Sequence, residues 1–217
     1  MKKTLLILGM LIITNLAIAE TETYDIDTKH SFANFMIRHV VSKTSGSLNE
    51  ITGLIQIDRD NLANSSVKAK INLLSINTGL AKRDDHIKKE EYLNATKYAD
   101  ITFVSKKVVA NSLTEGTMTG LLTLHGVTKE LTIPFKVLGF GADPWGGQRS
   151  GFEAHTLLKA SDFGFGWGLN KDAPIGDEIE VTLLIEGIKA KYGYLSSIQF
   201  KIGVINATRF VFTCDTR

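Results

Sequence analysis

Val67-Lys68-Ala69-Lys70-Ile71-Asn72-Leu73 is the stretch that decides the fold class of this chain. Four apolar side chains alternate with three polar ones. A period of two puts Val67, Ala69, Ile71 and Leu73 on one side of a sheet and the polar residues on the other. Working outward, the same alternation recurs in both directions. Ile51 to Asp58 places Ile51, Gly53, Ile55 and Ile57 on one face. Leu131, Ile133, Phe135 and Val137 alternate with Thr132, Pro134, Lys136 and Leu138. Ile179, Val181, Leu183 and Ile185 stand opposite Glu180, Thr182, Leu184 and Glu186. Phe32 to Val40, Asp100 to Lys106, Thr117 to His125 and Phe152 to Lys159 complete a set of about eight strands. Ile101 and Phe103 share a face.

One helix interrupts the pattern. Ala81 to Asn94 is charged, with Ile87, Tyr92 and Leu93 as its few apolar members. Glycines are expected between strands, at Gly139-Phe140-Gly141 and Gly146-Gly147, and Asp143-Pro144-Trp145-Gly146-Gly147 reads as a hairpin tip. Eight strands with one apolar face suit a two-sheet sandwich or a closed up-and-down barrel. Closure would remove exposed edges. The inward faces mix Ile, Leu and Val with Ala69, Ala154 and Gly53, so a barrel interior could be packed solid or hold a slender ligand.

The two ends read differently. Lys2-Lys3, the apolar run Thr4 to Thr14 and Ala17-Ile18-Ala19 form a secretory signal peptide, with cleavage expected after Ala19. The apolar run is shorter than the ~20 residues of a spanning helix. Lys2 and Lys3 carry the whole formal excess of +2 in the 217 residues, so the mature chain is neutral. A neutral surface gives no reason to expect nucleic acid. Cys214 is the one cysteine, which excludes an internal disulfide and fits a bacterial periplasm. Residues 20–191 are expected to form the barrel domain, and 192–217 an extension outside it.

Residues that could carry chemistry are few. His30, His39, His86, His125 and His155 lack the spacing of a zinc motif. Asp84-Asp85-His86 could move protons, with His86 as base and Asp84 orienting it. On a helix, however, adjacent carboxylates point apart and suit a solvated helix start. His30 and Ser31 would face opposite sides of a strand, and no Gly-x-Ser-x-Gly elbow occurs. Gly164-Phe165-Gly166-Trp167-Gly168 lacks the lysine of a phosphate loop and reads as a turn with aromatic plugs.

Several motifs in fixed order add a resemblance. They are Tyr24-Asp25-Ile26-Asp27 with His30-Ser31; His39; Ser75-Ile76-Asn77-Thr78 and Arg83-Asp84-Asp85-His86-Ile87; Tyr98 to Phe103; Gly120 to Lys129; and Ser161-Asp162-Phe163-Gly164. In these the chain resembles the YceI-like family of bacterial envelope proteins from Tyr24 to Lys189. Glu91-Tyr92-Leu93 stands where that family usually has an aromatic pair. The tail beyond Lys191 matches nothing in the pattern. The resemblance implies an eight-stranded, lipocalin-like antiparallel barrel holding an amphipathic lipid, such as a polyisoprenoid, an isoprenoid quinone precursor or a fatty-acid amide. No cofactor, metal or catalysis is implied.

On that reading Phe35, Ile37, Ile71, Phe103, Ile133, Phe135, Val181 and Leu183 would line the cavity. A one-residue register slip would exchange the faces. His39, Asn77, Arg83 and His86 would meet the polar end at the mouth. A competing role ties His30, Arg83 and Asp84 into a network between helix and rim. A transient contact with a membrane or membrane protein, and a homodimer, are compatible with such a carrier. The alternatives are an enzyme acting on the lipid through His86 and Asp84, and an adhesion or stress module with a solid interior.

Overall fold

The computed structural model describes residues 21–170 and 172–191. The expected signal peptide, the 192–217 extension and Cys214 lie outside the described residues. The elements are β1 (Glu22–Ile26), β2 (Phe32–His39), β3 (Ser42–Leu48), β4 (Ile51–Ile57), β5 (Ser66–Asn72), β6 (Ile76–Asn77), α1 (Ala81–Ile87), β7 (Asp100–Ala110), β8 (Glu115–Leu124), β9 (Val127–Ala142), β10 (Gln148–Lys159) and β11 (Ile175–Lys189).

Every pairing is antiparallel. The order β1-β4-β5-β7-β8-β9-β10-β11 closes when β11 pairs back with β1. The result is an eight-walled up-and-down barrel, and the sandwich is excluded. β2, β3 and β6 prolong three of these walls. β2 continues β1 along the same edge of β11, β3 leads into β4, and β6 follows β5. The breaks in these walls are bonded locally. The Asp27 carboxylate accepts the Lys29 amide at 3.0 Å. The Ser75 hydroxyl oxygen accepts the Asn49 and Glu50 amides at 3.1 and 3.2 Å. These bonds satisfy backbone groups that leave the ladder.

The alternation read from the sequence holds in three dimensions. Ile51, Ile55 and Ile57 are buried, as are Ile133 and Val137. Around Tyr24, Ile57 and Leu62 the lower end is tightly packed. Beneath it the Tyr24 hydroxyl donates to Glu22 and accepts from Arg59, whose guanidinium lies 3.9 Å above the Phe140 ring. At the upper end β8 turns into β9 through His125 (φ 52°) and Gly126 (φ 76°), two left-handed residues as the twist of a tight hairpin requires.

Some expectations need correction. The helix ends at Ile87 instead of Asn94. The Leu93 amide then bonds back to the Ile87 carbonyl at 3.0 Å, turning Leu93 beside Ile87 toward the interior. A continued helix would carry these residues around the cylinder, away from the gap between β6 and β7. Gly139 and Gly141 lie inside β9 and not between strands. β3, with the polar sequence Ser42-Lys43-Thr44-Ser45-Gly46-Ser47-Leu48, is a strand that the apolar pattern does not reveal. The Asp143–Gly147 tip does form the β9–β10 turn, with the Asp143 carboxylate accepting the Trp145 and Gly147 amides.

Candidate functional site: an apolar cavity with a polar mouth

The inward faces of the walls do not meet. They enclose a cavity of about 610 Å³, inside the ~300–1,000 Å³ range of small-molecule sites. A methylene takes roughly the ~30 Å³ share of a liquid water molecule, so the space holds on the order of 20 carbons. A solid interior is thereby excluded.

All eight residues expected inside are in the cavity wall: Phe35 and Ile37 from β2, Ile71 from β5, Phe103 from β7, Ile133 and Phe135 from β9, and Val181 and Leu183 from β11. Seven of these point inward yet are only half-buried, because their remaining surface faces the cavity; Ile133 is fully buried. Small residues make the room. Ala69 and Ala154 belong to the wall. Three phenyl rings lie against glycines on the adjoining strand. A Cβ at Gly46 would fall 2.5 Å from the Phe35 ring, one at Gly120 2.5 Å from Phe103, and one at Gly116 3.1 Å from Phe135. Each ring therefore lies along the wall and not across the lumen.

The mouth lies at the upper end. His39 and His86 are exposed and also line the cavity, joined by Thr78 and Arg83. Asn77 is a correction. Its neighbour Ile76 is buried in the cavity wall, so strand alternation turns Asn77 outward. There its side chain accepts the Gly79 amide at 2.8 Å and borders a separate polar groove with Asn34, Ser45, Ser47 and Thr182.

Arg83 and Asp84 do tie the helix to the rim, both through Thr78. The Arg83 Nε donates to the Thr78 hydroxyl at 2.7 Å, and the Asp84 carboxylate accepts the Thr78 amide at 2.9 Å and its hydroxyl. His30 is not part of this network. It pairs with Asp27 at 2.8 Å. Asp27 also binds Arg149, which reaches Asp143 at 2.9 Å and Glu186 at 2.8 Å. Burial opposes ionisation of Asp27, but hydrogen bonds from His30, the Lys29 amide and Arg149 outweigh it and hold its pKa at about 2. Among the described residues, Asp27, His30 and Glu186 form the one cluster with metal-ligand spacing. The Arg149 guanidinium already supplies a cation to both of its carboxylates.

The Asp84–His86 pair lacks the geometry of an acid–base couple. Asp84 is engaged by Thr78, and the His86 ring packs on Tyr92 with centroids 4.7 Å apart. Sequence reasoning missed the aromatic side of the mouth. Tyr92, Phe165 and Trp167 join the wall, and rings run in contact from Tyr98 through His125 and Phe165 to Trp167, at 4.4, 4.5 and 4.3 Å. The glycine spacing around Phe165 and Trp167 was the available signal. It indicated plugs, but not where they would dock.

Fold and cavity together define a closed up-and-down β-barrel built around a ligand-sized apolar chamber. The YceI-like domain model matches residues 24–187, and the chain belongs to that family. A UPF0312 protein of Yersinia enterocolitica is 41% identical over 177 residues, covering 81% of this chain and 90% of that one. Protein YceI of Salmonella newport is 37% identical, covering 88% of this chain and 100% of that one. Among solved structures, the Campylobacter jejuni YCEI protein aligns with a TM-score of 0.63 at 27% identity, over 70% of this chain and 88% of that one. A polyisoprenoid binding domain from Saccharophagus degradans shares the fold, with a TM-score of 0.59 at 18% identity over 77% of this chain and 98% of that one.

Proposed function

We propose that this protein binds and carries a long-chain amphipathic lipid, shielding its tail from water in the periplasm. The cargo class is a polyisoprenoid, an isoprenoid quinone precursor or a fatty-acid amide. The observation that carries this reading is the apolar cavity of about 610 Å³ with histidines and an arginine at its mouth. A tail entering it gains about 25 cal/mol for each Å² removed from water, and ordering the chain offsets part of that gain. The polar end remains at the mouth, beside Arg83 and His86. The polyisoprenoid binding named for the Saccharophagus domain lends support to the choice of cargo. The amino-terminal pattern supports export. The protein acts without turnover, since the Asp84 carboxylate serves the helix and not His86.

Cargo must cross between membrane and barrel, and the rim suits that step. Val40 and Val41 at the β2–β3 tip, Leu80 before α1 and Leu169 before β11 are exposed, Val41 at 98%. Exposed apolar side chains around an apolar opening give a tail a continuous path out of a bilayer.

The test is mass spectrometry of organic extracts from protein purified out of its native envelope. A long-chain lipid at near-stoichiometric amount is expected. Lipid-free extracts from folded protein would overturn the proposal.

A further inference from the structure

At the lower end β9 outruns β8. Their last pair is Glu115 with Lys136, while β9 continues to Ala142 and stays paired with β10 as far as Gln148. Leu138-Gly139-Phe140-Gly141-Ala142 is therefore bonded along one edge only, and its other edge meets no strand among the described residues. Every second residue of such an edge turns its N–H and C=O outward. Sheets normally charge, shorten or cover edges of this kind. This one carries no charged residue. Phe140 packs inward on Tyr24 and Phe152, and the other four residues are exposed.

The surroundings are apolar and unfilled. Leu138 is 61% exposed, and Trp145 at the hairpin tip 82%. The Val137 amide bonds to the Thr114 carbonyl at 2.7 Å, which brings the β7–β8 turn, with the exposed Leu113, to the start of the open edge. Gly139 has φ 154° beside the register slip between β9 and β10, so its backbone calls for glycine. Gly141 has no such reason: its φ is ordinary, and a Cβ there would meet nothing within 4 Å. A strand glycine with nothing packed against it marks a place where another backbone comes close.

We infer that Ile198-Gln199-Phe200-Lys201-Ile202, from the carboxy-terminal extension, covers this edge as a further antiparallel strand. The extension lies beyond the family match at 24–187 and begins where the edge can be reached. Gly141, Arg149 and Ile188 stand in one row across β9, β10 and β11. The Ala190 amide is still bonded to the Thr23 carbonyl at 2.9 Å, so the chain leaves at the lower end. A strand beside β9 lies three spacings from β11, ~14 Å. Residues 192–197, six in number, reach up to ~20 Å when extended. β9 and β11 run in the same direction, so a segment that reverses after β11 is antiparallel to β9. Ile198, Phe200 and Ile202 alternate with Gln199 and Lys201, the pattern of a half-covered strand, and the five residues match the five of the edge. The apolar three then share a face beside Leu113 and Leu138. This inference is independent of what the chamber holds.

The test is amide hydrogen exchange, read by NMR at Leu138 to Ala142 in the full chain and in a chain ending at Lys191. At least one of these amides is expected to exchange about tenfold or more slowly in the full chain and to lose that protection on truncation. Equal rates throughout overturn the inference. Slow exchange that survives truncation and increases with protein concentration also overturns it, since a second copy then covers the edge. Should the shortened chain not fold, full chains carrying Phe200→Pro and Lys201→Pro serve instead. Successive N–H groups of a strand point opposite ways, so one of the two substitutions must remove a ladder donor. Protection that persists in both refutes the pairing.

Discussion

Lengthening a straight-chain ligand one carbon at a time gauges the depth of the chamber. Each methylene moved from water into the apolar wall contributes about 0.8 kcal/mol, close to a fourfold gain in affinity. Ordering the chain reduces this to roughly two- to fourfold per carbon. The gain must stop when the space is full. From the cavity volume of about 610 Å³ and a ~30 Å³ share per carbon, the limit falls near 20 carbons. Ala69 faces the chamber from β5, and Ala69→Phe adds about six carbons of wall to a space that packs to constant density. The plateau should therefore fall to about 14 carbons in A69F, with an unchanged slope below it. Dye displacement by 1-alkanols of about 8 to 26 carbons, delivered from cyclodextrin, reads both quantities in both proteins. A plateau at the same length in wild type and A69F, or none in either, would refute the reasoning that the enclosed volume sets the capacity.

Three further outcomes are expected. Phe135→Asp puts a carboxyl in the apolar wall, and the folded fraction should retain less than about a tenth of the wild-type lipid on extraction; normal loading would remove Phe135 from the binding surface. Asp27 has a folded pKa of about 2 against an ordinary 3.8, so its pairing stabilises the fold above pH 3.8 and is lost as the pH falls through 2. Arg149→Ala should reduce that component, itself no more than about 2 kcal/mol because water screens the exposed side of the cluster, and leave the part held by His30 and the Lys29 amide; denaturant curves of the two proteins that stay parallel from pH 6 to pH 2 would disprove it. Asp84→Ala removes the acceptor of two Thr78 bonds and should cost about 1–3 kcal/mol in urea unfolding; unchanged stability would show that the strap carries no load.

Period-two alternation made the walls and the lining legible, because a barrel turns every second side chain inward. Ala69, Ile133 and Val181 face the chamber for that reason alone. The same rule was available for Asn77, beside the inward Ile76, but the strand of two residues is too short to show a period. β3 escaped notice because it meets the cavity through Thr44 and Leu48, with Gly46 between them against the Phe35 ring, and only Leu48 is a large apolar residue. α1 stops at Ile87 because the chain turns back there, the Leu93 amide bonding to the Ile87 carbonyl, and no glycine or proline marks that stop in the sequence. Trp167 and Tyr92 meet only after closure, from loops some 75 residues apart. Local spacing holds no trace of such an encounter.

The three phenyl–glycine pairs of the wall have a consequence for how the bore of this barrel is set. Phe35, Phe103 and Phe135 behave as shutters folded flat, and what keeps them open is an empty position on the next strand. Calibre is thus governed from behind the lining. One methyl added at Gly46, Gly116 or Gly120 would press on a backbone carbonyl oxygen (Asn77, Val109 or Val104) as well as on the ring, so strand spacing and ring must yield together and the width of the chamber is set by residues that never face it.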